Sequence, residues 1–175
     1  TASGTDTVIA GAGNDTVILN AKSVVALGQA NTVDVDGGDG VNVLKLSGVN
    51  VTMDLTNTTV AGKLDNFSVL DLSMGNGNTV KLSLQQVLDL PSGVADNSAT
   101  SDVDESKMLV VHGTGLNTLQ LADSVDWTAV TNLGGTSLQN TYGTQYGFEV
   151  GRSYTQYTNG SATLFVDQLL VQDLL

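Results

Sequence analysis

Almost every apolar run in this chain is short and stops within a few positions at Gly, Asn, Asp or Ser. The runs 42–46 (NVLKL), 49–55 (VNVTMDL) and 107–111 (KMLVV) are typical. Runs of this length with period-two character, bounded by turn formers, favour β-strands and leave little room for long helices. Two helical candidates interrupt the pattern. Leu82–Leu90 can be capped by Ser83 and is ended by Pro91, and Ala21–Leu27 is a weaker second. The stretch 92–106 (SGVADNSATSDVDES) is small, polar and acidic and reads as a surface loop. The chain is therefore expected to be all-β.

The charge balance narrows the function. There are 18 acidic residues against 6 basic ones, for a formal charge of −12, and all of the acids except Glu105 and Glu149 are Asp. Asp favours turns and holds its carboxylate close to the backbone. That suits loops that chelate a hard cation, since calcium takes six to eight oxygens from carboxylates and carbonyls together. Nucleic acid and anionic membrane surfaces would be repelled by such a chain. No run approaches the ~20 apolar residues of a membrane helix, so membrane insertion is not expected. Cysteine is absent, which fits a reducing compartment or an exported protein stabilised by metal. The opening TASGTDTVIAG has neither the basic nor the apolar region of a secretory leader.

A nine-residue repeat stands at the start. Residues 1–9 (TASGTDTVI) align with 10–18 (AGAGNDTVI), so that Gly4 matches Gly13, Asp6 matches Asp15, and Thr-Val-Ile recurs; Gly11 belongs to the same turn. Residues 37–45 (GGDGVNVLK) keep the glycines, Gly37 among them, with Asn42 where Asp would stand. Looser copies place Asn78 and Asn117 after Gly-containing turns, giving a second spacing of 36 and then 39 residues through Asn42, Asn78 and Asn117. Asp34, Asp36 and Asp39 add three carboxylates on the same Gly-rich loop. Two readings stand side by side: an oxygen-ligand loop, or solvated Gly/Asn turns in an ordinary β domain.

These nonapeptides resemble those of the repeats-in-toxin (RTX) proteins, GGxGxDxUx with U a large apolar residue. In that family each repeat supplies a Gly-rich turn and a short strand, and stacked turns form a parallel β-roll that binds calcium. The runs 64–72 (LDNFSVLDL) and 154–167 (YTQYTNGSATLFVD), with the ending Asp173-Leu174-Leu175, look like the C-terminal region of RTX adhesins exported by type I secretion. The resemblance implies an extracellular or cell-surface destination reached without an N-terminal signal peptide. It also implies calcium ligands among Gly4, Asp6, Gly11, Gly13, Asp15, Asp34, Asp36, Gly37, Asp39 and Asn42.

Enzyme chemistry finds little material. There is one histidine, His112, at the end of an apolar strand, and no cysteine, which argues against zinc and Cys/His nucleophile sites. No GxSxG elbow is present. Tyr142, Tyr146, Tyr154 and Tyr157 are expected as cross-strand pairs, with glycan stacking as the minority reading. The expected architecture is a short parallel β-roll or solenoid segment over 1–45, followed over 46–175 by a mostly antiparallel, sandwich-like domain. The expected role is a calcium-dependent structural or adhesive module that folds on export. The alternatives are a self-assembling subunit of a surface layer or filament, and a lectin-like domain for cell-surface glycans.

Overall fold

The computed structural model describes residues 6–29, 33–91, 93–96, 103–123 and 126–175. The chain runs as stacked coils. The first holds β1 (Asp6–Ile9), β2 (Thr16–Leu19) and helix α1 (Ala21–Leu27). The second holds β3 (Val33–Asp36), β4 (Val43–Leu46), β5 (Gly48–Val49), β6 (Thr52–Asp54) and α2 (Thr58–Ala61). The third holds β7 (Leu64–Asp65), β8 (Val69–Asp71), β9 (Gly75–Asn76), β10 (Thr79–Leu82) and α3 (Leu84–Asp89). Then come β11 (Met108–His112) and β12 (Thr118–Leu121). The last part holds β13 (Thr128–Gly134), α4 (Gly135–Tyr142), β14 (Ser153–Asn159), β15 (Ala162–Asp167) and β16 (Val171–Leu174).

Strands stack on their counterparts in the next coil. One sheet has the order β1-β3-β7, a second β2-β4-β8-β11-β15-β14-β13, a third β6-β10-β12-β16, and β5 pairs β9. Every pairing is parallel except β15–β14 and β14–β13. Thr16 lies opposite Val43, and Thr52 opposite Thr79; coil-to-coil hydrogen bonds at the corners span the same 27 residues. The structure thus corrects the expected sandwich over 46–175. Parallel stacking continues to β16, and the antiparallel part is the single excursion β13–β15. The expected boundary after residue 45 falls inside β4 and inside one hydrophobic cluster that runs from Leu19 to Leu170.

That cluster fills the inside of the stack with ladders of like residues. Leu44, Leu70, Val111 and Val166 lie in register across four strands, as do Met53, Val80 and Leu119 across three. A second cluster covers the outside of the seven-stranded sheet. Val69, Met108, Val110 and Phe165 face outward there beneath Leu138 of α4, Tyr146 and Phe148. Phe148 meets Tyr154 and Phe165 edge-on, with centroids 5.1 and 5.4 Å away. Strand β11 is therefore buried on both faces, which is why MLVVH does not alternate. The tyrosines belong to these cores and are not surface cross-strand pairs: Tyr146, Tyr154 and Tyr157 are all buried.

Both helical candidates form. Asn20 caps α1 by accepting the Lys22 and Ser23 N–H groups, and the Gln86 side chain accepts the Ser83 N–H at the start of α3. The corners rely on close carbonyl approach. Gly38 has φ +76°, and a Cβ there would collide with the Gly11 carbonyl of the coil before; Gly40, at φ +116°, meets the Gly13 carbonyl in the same way. Gly11 has positive φ but open space beside its α-carbon. Gly38→Ala should therefore cost more stability than Gly11→Ala, by about 1–3 kcal/mol for the added collision. Urea unfolding of the two variants checks this, and equal midpoints would mean that the corners are not close-packed.

Candidate metal site at the first corner

The corner between the first and second sheets is made by residues 10–15 in the first coil and 37–42 in the second. The two turns hydrogen-bond directly: the Gly13 N–H donates to the Asp39 carbonyl at 2.9 Å, and the Ala10 N–H to the Asp36 carbonyl at 2.9 Å. Ala12 and Asp39 form an isolated parallel bridge. The second coil is tied onward, with the Gly37 N–H donating to the Asp65 carbonyl and the Gly40 N–H to that of Gly93.

Asn42 is fully buried and its amide fills the corner. Its Oδ1 accepts the Asp15 N–H at 2.9 Å. Its Nδ2 donates to the carbonyls of Gly38 at 3.0 Å, Gly40 at 3.4 Å and Asn66 at 3.0 Å. Turn carbonyls that could face an ion are here served by an N–H donor. At the next corner Asn78 and Asn117 accept in the same way, Asn117 also donates, and the Asn78 Nδ2 is buried without a hydrogen-bond partner. Asn78 accepts the Val51 N–H, and Asn117 accepts the Asn78 N–H while donating to the Leu72 carbonyl at 2.9 Å. The 39-residue spacing of Asn78 and Asn117 is thus a real stack. The 36-residue spacing of Asn42 and Asn78 is not, because those two sit at different corners.

Asp15 occupies the position of Asn42 one coil earlier. A carboxylate has no N–H to give, and the Asp15 Oδ2 is buried without a hydrogen-bond partner. The carbonyls that correspond to those Asn42 binds are Gly11 and Gly13, which point along the stack towards Gly38 and Gly40. The corner of the first coil is therefore rich in oxygen and short of donors. A cation would suit this donor set, with Asp15 and the carbonyls of Gly11 and Gly13 as its ligands.

The remaining sequence-derived candidates divide. Gly37 is buried beneath Asn66. Asp36 lies on β3, where its Oδ1 accepts the Gly38 N–H at 2.8 Å and the Asn66 Nδ2 at 2.6 Å. Asp34 is exposed on β3, Asp39 is exposed on the turn, and Asp6 begins the exposed strand β1 opposite Val33. Gly4 lies outside the described residues. Asp6 and Asp15 do not stack on one another: nine residues carry the chain from one side of a coil to the next, and the register partners are Val33 and Asn42. Among the described residues no three acidic or histidine side chains converge as a metal cage. Any ion at this corner would draw on the carbonyls.

Asn14 and Asn66 escaped the sequence reading. Asn14 accepts the Val41 N–H at 2.9 Å, and the signal that could have found it is the 27-residue coil length. His112 is structural: Nε2 lies 2.9 Å from the Tyr146 carbonyl, and the ring packs edge-on to Tyr154. No protein-family model, curated protein or solved structure matches the chain. Replacing Asn42 with Ala should cost about 2–4 kcal/mol by stranding the Asp15 N–H and the turn carbonyls. The loss should be equal with and without calcium in urea unfolding; a loss seen only with calcium would make Asn42 an ion ligand.

Proposed function

We propose that this chain is a structural module of an extracellular, RTX-like bacterial protein, a β-solenoid whose first coils are locked by calcium on export. The observation that carries this is the Asp15 carboxylate, with one oxygen buried and unpaired, at the place where the next coil uses the Asn42 amide. The acidic, cysteine-free composition and the GxGxD turns support the same reading. Most of the main hydrophobic cluster lies beyond the first coil, which contributes Leu19, Val24 and Leu27. Calcium therefore acts on the N-terminal coils and leaves the rest of the stack to fold through its core. Where calcium is scarce the first coil stays loose, and outside the cell ion binding becomes folding free energy.

Thermal unfolding of the chain and of Asp15→Asn, in chelator and in millimolar calcium, tests this. Calcium should stabilise the parent chain by about 2–3 kcal/mol at a hundredfold excess over Kd. Asp15→Asn supplies the missing donor, so it should be more stable than the parent in chelator and gain nothing from calcium. A calcium increment that survives Asp15→Asn would sink the assignment.

A second reading, self-assembly, is favoured by the difference between the two edges of the seven-stranded sheet. Strand β13 carries an irregularity between Val130 and Leu133, with Asn132 at φ +63°, which hinders edge pairing. Strand β2 at the other edge, and β1 at the edge of the three-stranded sheet in the same coil, have no lysine, proline or bulge, and Val8, Ile9 and Ile18 are exposed there. Sedimentation should show a mass that rises with concentration and falls back to the monomer in Ile18→Lys. A monomer at every concentration removes this reading. Of the tyrosines a lectin-like platform would use, Tyr146, Tyr154 and Tyr157 are buried and Tyr142 is half-buried against Phe148 and Phe165.

A further inference from the structure

Among the described residues the first sheet ends at β7, where β3 is the one strand neighbour. A cleft of about 580 Å³ opens there between α2 and α3. Leu64, Leu88 and Leu90 give it apolar walls, and Asp65, Asp89 and Gln85 give it polar groups. Both carboxylates are exposed, and Gln85 donates to one Asp89 oxygen at 2.8 Å. No basic residue lines the cleft.

We propose that this cleft binds an organic cation, a primary ammonium on an apolar stem. The stem would lie against the leucines and the ammonium between Asp65 and Asp89, the usual division of a small-molecule site into apolar walls and a few polar groups. A bare metal ion fits less well. It would need three or more converging acids or a dense set of oxygens, and among the described residues no such group of side chains exists. The charge state points the same way: burial, then the neighbouring charges of Asp36 and Asp89, holds the Asp65 carboxyl above its ordinary value. A bound cation would relieve that repulsion. This site uses different ligands from the calcium corner, although the Gly37 N–H ties the two together through the Asp65 carbonyl.

The test is a titration of the isotope-labelled chain with hexylammonium, followed by amide NMR, with 1-hexanol and calcium as comparison probes. Hexylammonium should shift the Gly62, Asp65 and Asp89 amides saturably and leave that of Asp173, acidic but outside the cleft, in place. Hexanol should bind about tenfold more weakly, the loss of one charge-assisted contact. Asp65→Asn combined with Asp89→Asn should lose the site while keeping the parent melting curve in chelator. Equal binding of hexanol, unchanged binding in the double variant, or calcium shifting the same amides at lower concentration would each overturn the proposal.

Discussion

The structure depends on how backbone polar groups are satisfied where one coil turns above another. Along the strands, parallel ladders do this at a spacing of about 4.8 Å. At a corner the ladder stops, and the freed N–H and C=O groups are still too deeply placed to leave unpaired. Buried asparagines answer much of this, since one amide can both accept and donate, as those of Asn42 and Asn117 do. Asn42 and Asn78 each take the N–H of a residue 27 positions earlier, and Asn117 takes the Asn78 N–H across 39 residues. Glycine at 38 and 40 then lets the carbonyl of the coil before approach the turn.

Charge follows the same geometry. Lys45 meets Asp71 at 2.9 Å and Lys81 meets Asp54 at 3.3 Å, each pair side by side on neighbouring coils. Burial alone would push the Asp71 carboxyl up, but hydrogen bonds from Lys45 and Ser73 hold it below its ordinary value. A carboxyl lowered in this way contributes stability above its unfolded pKa and loses it as the pH falls through the folded value. Farther along that row, Asp167 is fully buried and paired with Arg152. Six basic residues cannot answer eighteen acids. The shortfall gathers at the first corner and around Asp65, the two places where a cation is expected to bind.

Much of this was legible in the sequence, but unevenly. The helix at Leu84–Asp89 announced itself by Ser83 and Pro91, within the expected Leu82–Leu90, and Ala21–Leu27 was the weaker candidate that also forms. The strands after Asn42 and Asn117 showed in their alternation. The coil length did not. It is 27 residues from the first coil to the second and 26 to 29 from the second to the third, and insertions then lengthen it: Val69 lies opposite Val110, and Thr118 opposite Val171. Glycine and asparagine also recur at more than one corner of the same coil, so Asn42 and Asn78 mimic a repeat without stacking. The antiparallel expectation for the later strands failed for a related reason. Once the excursion through α4 and Phe148 covers the outer face of the sheet, two-sided burial erases the alternation by which a sheet is usually read.

Asn and Asp are near-isosteric, and at a coil corner they give opposite kinds of order. Asparagine carries its own donor, so a corner built on Asn42 is complete as soon as the chain folds. Aspartate brings only oxygen, so on the proposed reading the corner at Asp15 closes when a cation binds. The difference separates a permanent corner from a conditional one. Asn sits at 42, 78 and 117, deep in the stack, and Asp at 15 in the outermost described coil, beside the exposed strands β1 and β2. On the proposed reading, conditional order in the first coil would govern whether β1 and β2 are firm enough to pair with another strand, while the hydrophobic clusters of the later coils would hold without the ion.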